Sequence, residues 1–290
     1  VLKKCVLLLL LALACLLLAP LGPGGLTAQA EPAAPNCGPT LLRSDGAPWE
    51  CTFADDFNGT GLDRTKWMPQ TQGFTSGGPA AWACYVDSPD VIGVADGVLT
   101  LRLVRDAQPS PCASHPRAQQ TPYRAGSLST YGLFSQQYGR FEARILNTAT
   151  DQPGLQESFW LWPDARYSNT SVWPVSGEID IAETYSRYPE MAIPFLHSSS
   201  NLLGGIQGVT TAQCAAQRGV WNTFALEWAP GRMEIFVNGT SCLVNNGGDS
   251  AFRKRYIVAL TQLIGAKRNA PTAATPLPAS MYVDYVRVWQ

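Results

Sequence analysis

The chain is written in short runs whose apolar and polar positions alternate. In "YGRFEARIL" (138–146), Phe141, Ala143 and Ile145 interleave with Arg140, Glu142 and Arg144. A period of two gives a strand one dry face and one wet face. Comparable β-rich runs occupy 97–104, 158–162, 178–184, 221–229, 232–239, 256–263 and 281–289, separated by clusters of Gly, Pro, Asn and Asp. Sustained helical periodicity is absent, and many short strands at this spacing predict an all-β sandwich or barrel. Asn238-Gly239 predicts a hairpin turn. A single peripheral helical turn is expected at 249–255, and Pro-rich loops at 107–122 and 269–279. Neither an internal repeat nor a second domain is visible.

The first thirty residues break the pattern. Lys3 and Lys4 precede an apolar run from Val6 to Ala19, then Pro20, Gly22 and Pro23, then Ala28-Gln29-Ala30. This is the layout of a secretory signal, and the apolar run is short for a membrane span. The expected organisation is a signal at 1–30, a lead segment at 31–50 and the main domain at 51–290. The expected location is extracellular, with no membrane attachment once the signal is cleaved, and the expected state is a monomer.

Charge and cysteines narrow the classes. Without Lys3 and Lys4 the chain keeps 19 basic and 22 acidic residues, a net charge of −3. No cluster of Lys and Arg forms a nucleic-acid footprint. Cys37, Cys51, Cys84, Cys112, Cys214 and Cys242 remain, an even number that in an exported chain implies disulfides. Six cysteines allow about 15 pairings. Neighbouring order and modest loops favour Cys37–Cys51, Cys84–Cys112 and Cys214–Cys242. A cysteine or histidine metal site is disfavoured, because no Cys-x-x-Cys occurs and the histidines are only His115 and His197.

"GEIDIAE" (177–183) gathers three carboxylates in a chain that is 15% charged. On a strand Glu178 and Asp180 face out while Ile179 and Ile181 face the core. Strict alternation would bury Glu183, at high cost for a carboxylate. One extra residue, a bulge at Ile181-Ala182, returns Glu183 to the outer face. Three acids on one face repel, so at least one pKa must rise. One ionised and one protonated carboxyl are what glycosidic cleavage requires. An acidic strand with a wet face remains the plain alternative. Trp160, Trp162 and Trp173 precede the cluster, and alternation puts Trp160 and Trp162 opposite Phe159 and Leu161. Their flat faces suit the apolar faces of sugar rings, although tryptophan is just as readily a core residue.

"YGRFEARIL", "SFWLWPD", "WPVSGEIDIAE", "WNTFALEWAPGRMEIFVNG" and "MYVDYVRVW" together resemble glycoside hydrolase family 16, in its laminarinase-like, endo-1,3-β-glucanase branch. The resemblance runs from about Phe53 to Gln290. It implies a jelly-roll β-sandwich of two antiparallel sheets curved around an open substrate cleft. It implies a retaining mechanism with Glu178 as nucleophile, Glu183 as general acid/base and Asp180 assisting between them. The spacing matches the bulged form shared by laminarinases, agarases and carrageenases rather than the shorter lichenase form. Ala182 and Gln156 depart from the branch, which commonly has a larger residue and a Trp there. Trp160, Trp173, His197 and Gln156 are the candidate substrate contacts. No cofactor or catalytic metal is implied, and a structural calcium is allowed near Asp56 and Asp284. The expected substrate is a β-1,3-glucan; the alternatives are a related β-galactan hydrolase, a transglycosylase, or a non-catalytic β-glucan-binding lectin.

Overall fold

The computed structural model describes residues 34–71, 83–112, 120–199 and 209–290. The expected signal at 1–30 and His115 lie outside the described residues. In chain order the strands begin with β1 (Cys51–Asp55), β2 (Met68–Pro69), β3 (Ala83–Tyr85), β4 (Ile92–Ala95), β5 (Val98–Pro111) and β6 (Gln120–Ala125). They continue with β7 (Ser127–Ser129), β8 (Gly139–Asn147), β9 (Leu155–Pro163), β10 (Glu178–Tyr185), β11 (Met191–His197) and β12 (Cys214–Ala215). The last are β13 (Asn222–Ala229), β14 (Arg232–Val237), β15 (Thr240–Asn245), β16 (Tyr256–Ile264) and β17 (Ala279–Trp289).

Two sheets result. One runs β15-β14-β13-β8-β17-β5-β6-β3, with β1 on β17 and β4 on β5. The other runs β12-β11-β10-β9-β16-β7-β2. Pairing is antiparallel, as expected, apart from the short parallel contact between β3 and β6. Alternation does the sorting. Phe141, Ala143 and Ile145 of β8 are buried, and so are Phe159, Leu161, Ile179 and Ile181 of the second sheet. These residues share one core with Leu99, Phe224, Tyr256 and Val286. Burying a Leu or Phe fully contributes about 1.5–3 kcal/mol, so this seam dominates the stability.

The connections follow local chemistry. Asn238 and Gly239 take φ of 50° and 79° to turn β14 into β15, as two-residue hairpins need. Residues 249–255 give a short 3₁₀ turn, Ser250–Phe252, capped by the Asp249 side chain. The stretch expected to loop at 107–122 is instead strand as far as Pro111 and again from Gln120. Pro109 and Pro111 sit on the exposed end of β5, and Pro122 lies in β6. All three disulfides pair as expected: Cys37–Cys51, Cys84–Cys112 and Cys214–Cys242. Cys37 is buried against Ala54 and Trp289, which ties the lead segment to the domain. Among the described residues no helix is long and apolar enough to cross a membrane.

Candidate active site

The acids sit where β10 departs from regular pairing. Against β9, Asp180 faces Trp160 and Ala182 faces Phe159, which leaves Ile181 without a partner. Against β11, Asp180 faces Phe195 and Glu183 faces Ile193, so Ile181 and Ala182 together oppose Pro194. This is the expected bulge. Proline cannot donate to a ladder and is tolerated at such an irregularity. Ile181 and Ala182 both enter the core, at 0% and 2% exposure. With two successive residues turned inward, Glu183 returns to the outer face beside Glu178 and Asp180.

The outer face is built by neighbours on both sides. Gly177, directly before Glu178, has φ of 92°, and a Cβ there would run into the hydroxyl of Tyr256. Only glycine delivers the chain to Glu178 at this approach. Trp173 Nε1–H donates to Glu178 Oε2 at 2.6 Å, although the Trp173 side chain is otherwise 55% exposed. His197, opposite Glu178 on β11, sets Nε2 3.1 Å from Asp180 Oδ2 and 3.9 Å from Glu178 Oε2. Its ring stacks on Phe195 at 4.2 Å and tilts toward Trp173 at 5.0 Å. Gln156 Nε2 donates to Glu183 Oε1 at 2.7 Å, and the Tyr185 hydroxyl also bonds Glu183. Trp160 is half-buried on the same face; it donates Nε1–H to Thr261 Oγ1 at 3.0 Å and meets Trp162 edge-on at 6.0 Å.

All seven predicted residues therefore converge on one face. Gln156 is 4% exposed and is spent on Glu183, so it acts on the acid rather than lying open to solvent. Sequence reading missed Tyr185. Its signal was available, because Tyr185 follows Glu183 by two and shares its face. It also missed the support behind the sheet. Glu157, on the core face, accepts from both Nη atoms of Arg218 at 2.7 and 2.9 Å and from Thr184 Oγ1 at 2.8 Å.

Crowding shows in the protonation of the acids. Burial, then the Asp180 charge, pushes Glu178 up to about 8. Burial followed by Glu183 lifts Asp180 well above the carboxylate range. Burial raises Glu183 as well, opposed by the Tyr185 and Gln156 hydrogen bonds. Burial holds His197 below its ordinary value, opposed by the Glu178 and Glu183 charges. Three negative charges are not stable together here, so the cluster retains protons near neutrality.

Metal ligation has limited material. Glu178, Asp180 and His197 form the one metal-compatible group of three among the described residues. The acids considered for calcium are paired elsewhere: Asp56 with Arg287 and Asp284 with Arg144, each through a hydrogen-bonded ion pair. Among the described residues neither joins a metal-compatible group of three.

A β-sandwich with paired carboxyls beneath an open indole is the architecture of a carbohydrate-cleaving enzyme. Residues 85–280 match the model of the glycosyl hydrolases family 16, and the chain belongs to that family. It is 26% identical over 264 residues to a glucan endo-1,3-beta-glucosidase A1 of Niallia circulans, covering 82% of this chain and 37% of that protein. A keratan-sulfate endo-1,4-beta-galactosidase of Sphingobacterium multivorum is 28% identical over 254 residues, covering 83% and 55%. The chain thus spans about a third to about half of these two relatives. A crystal structure of a variant of SCLam, a non-specific endo-beta-1,3(4)-glucanase, superposes with TM-score 0.71 at 26% identity, covering 89% of this chain and 100% of that one. The fold is accordingly the jelly roll of this family, whose catalysis requires no cofactor.

Proposed function

We propose that this protein is an exported, retaining endo-β-glucanase acting on a neutral β-1,3-linked glucan. The substrate class rests on one observation. None of the seven strands of the catalytic sheet carries a lysine or arginine. A sulfated or uronate-bearing chain would call for cations along that floor. This one offers indoles, hydroxyls and amides, the groups that suit uncharged sugar rings. The linkage draws on the glucan endo-1,3-beta-glucosidase among the relatives. Export draws on the amino-terminal pattern and agrees with the three disulfides.

The mechanism gives the charge to Glu178 and the proton to Glu183, the division of roles that the resemblance to family 16 implies. Asp180 is the most deeply placed of the three, and its charge is the second cause of the rise in Glu178. With a proton on Asp180 that cause disappears. Glu178, holding the Trp173 N–H, is then the group that carries the charge. A Glu178 oxygen attacks the anomeric carbon while Glu183 gives its proton to the departing glycosidic oxygen, so the C–O bond breaks as the glycosyl–enzyme bond forms. The donors Gln156 and Tyr185 stabilise the Glu183 carboxylate that remains. Glu183 then takes a proton from water, whose oxygen displaces Glu178 and restores the original configuration.

Reducing-sugar release from laminarin, lichenan, agarose and carrageenan, measured side by side, tests the substrate. Release from laminarin and none from carrageenan is expected; release from agarose but not laminarin overturns the glucan assignment, and transferred sugar in place of free product makes the enzyme a transglycosylase. Azide tests the roles. With an activated aryl β-glycoside, Glu178→Ala should yield the α-glycosyl azide and Glu183→Ala the β-azide. The same anomer from both variants would refute the division of labour.

A further inference from the structure

The core face of the catalytic sheet carries one polar row directly behind Glu183, against the apolar seam of Phe159, Leu161, Ile179 and Ile181. Thr184 of β10 faces Glu157 of β9, and Glu157 faces Gln262 of β16. All three are buried, and so is Arg218 from the segment between β12 and β13. The Glu157 carboxylate accepts from Arg218 Nη1 and Nη2 at 2.7 and 2.9 Å, from Thr184 Oγ1 at 2.8 Å and from Gln262 Nε2 at 3.2 Å. Asn147 of β8, in the opposite sheet, donates Nδ2–H to Thr184 Oγ1 at 2.8 Å, and Arg218 Nε–H donates to Thr148 O at 3.0 Å.

Holding the sandwich together is a poor account of this row. Two ions lose their water when buried, and apolar residues of similar volume commonly hold a core as well or better. What apolar residues do not supply is direction. A forked guanidinium on a carboxylate fixes distance and plane together. The remaining donors to Glu157 come from β10 and β16, the strands on either side of β9.

Direction matters here because apolar contacts fix the register beyond the bulge only loosely. Ile179 and Ile181 anchor β10 ahead of it, whereas Ala182 gives the core a single methyl group. A slip of one residue would turn Glu183 inward and Thr184 outward. Only an inward Thr184 reaches Glu157, so their hydrogen bond opposes that exchange. Glu157 also follows Gln156 on β9, and Gln156 Nε2 donates to Glu183 Oε1 at 2.7 Å. Gln262 Nε2 meets the Gln156 carbonyl at 3.3 Å as well. Two supports of Glu183, its own backbone and the amide that holds its carboxyl, therefore hang on Glu157. Glu178 lies ahead of the bulge, beside Gly177 and Trp173.

We infer that the buried Glu157–Arg218 pair is a positioning device for the general acid/base: it fixes Glu183 through Thr184 and Gln156, and leaves Glu178 to its own neighbours. Neither residue touches the sugar. This rests on the roles given above to Glu178 and Glu183. Misplacing Glu183 harms the step that needs its proton and spares attack by Glu178. The glycosidic oxygen of a polysaccharide must be protonated as it leaves, whereas a dinitrophenolate leaves without a proton.

The test is the double variant Glu157→Leu/Arg218→Met, assayed on laminarin and on a dinitrophenyl β-laminaribioside. On laminarin kcat/KM should fall roughly 10- to 100-fold, as the loss of aligned acid catalysis gives. On the dinitrophenyl glycoside kcat/KM should stay at the wild-type value, and azide should speed turnover of the variant to the β-azide. Equal losses on both substrates, or none on laminarin, overturn the inference and leave the pair as core packing. Should the double variant fail to fold, Thr184→Val takes its place, since it cuts the link to β10 and keeps the ion pair. Thr184→Ser restores the hydroxyl and should recover the wild-type rate on laminarin; a Ser variant as slow as the Val variant overturns the inference. Should the wild type cleave neither substrate, the glucanase reading fails separately. The pair is then judged by amide hydrogen exchange, where peptides covering 182–186 should lose protection about tenfold in Thr184→Val and keep it in Thr184→Ser. Equal exchange in those two variants overturns it.

Discussion

Replacing Glu178 with Gln should abolish turnover yet stabilise the fold, and the gain should depend on pH. The Glu178 carboxyl has an ordinary pKa of 4.5 and is pushed up to about 8 in the folded protein. A carboxyl whose folded value lies above its unfolded one binds its proton more tightly in the native state. Its contribution to stability is complete below pH 4.5 and is lost as pH rises to about 8. A rise of roughly 3.5 pH units, at about 1.4 kcal/mol each, sets a ceiling of about 5 kcal/mol. A proton held on Asp180 relieves part of that, so about 2–5 kcal/mol is expected. In a domain of this size about 1 kcal/mol moves the midpoint by roughly 2–4 °C. Glutamine keeps an acceptor for the Trp173 N–H, so that hydrogen bond survives. Circular-dichroism melts of the two proteins from pH 4 to pH 9 should coincide at the acid end and separate by roughly 5–15 °C at the alkaline end. Midpoints that coincide at pH 9, or differ equally at both ends, would show that Glu178 is not under electrostatic strain.

Two further substitutions separate site from scaffold. Trp173→Phe retains an apolar face but removes the N–H donated to Glu178, so kcat should drop several-fold more than KM rises, with an unchanged melt; a normal kcat would make that hydrogen bond irrelevant to attack. Arg218→Ala should cost about 3–5 kcal/mol in urea unfolding, because it leaves Glu157 charged and unpaired inside the sandwich. Changing both partners to apolar residues (Glu157→Leu with Arg218→Met) should recover most of that loss, and failure to recover would assign the cost to packing instead.

Much of this molecule could be read before its structure was known, and the limits have physical causes. Runs with one dry face, such as 138–146 and 281–289, became β8 and β17 with ends shifted by one or two residues. Period-two burial is a local signal and survives any tertiary arrangement. The bulge was legible because an inward Glu183 would have been too costly. Pro194 carried a second signal for it that went unread: a proline inside an otherwise good strand marks the place where ladder bonding lapses. Short strands such as β2, β3 and β12 were invisible, since two or three residues hold no period. The strand character of Pro109 and Pro111 was hidden by prolines, which an exposed strand end tolerates. The Glu157–Arg218 pair joins residues 61 positions apart, a separation at which no local pattern ties an acid to its base. Gln156 stood out as a departure, but its service to Glu183 depended on the alignment of β9 with β10.

The bulge also frees the site from the arithmetic of its own strand. In an unbroken strand, side chains on one face recur every two residues, so two acids sharing a face can be set apart only in steps of about 6.8 Å. Ile181 and Ala182, turning inward together, insert a half step. The carboxyls keep their common face, and because Asp180 and Glu183 still oppose Trp160 and Ser158, two residues apart on β9, the extra residue is taken up as a local bend. Residue count and facing, normally locked together by the pleat, become independent settings here. A one-residue insertion or deletion at this point resets how sharply the strand bends between the two acids and leaves the face they share untouched.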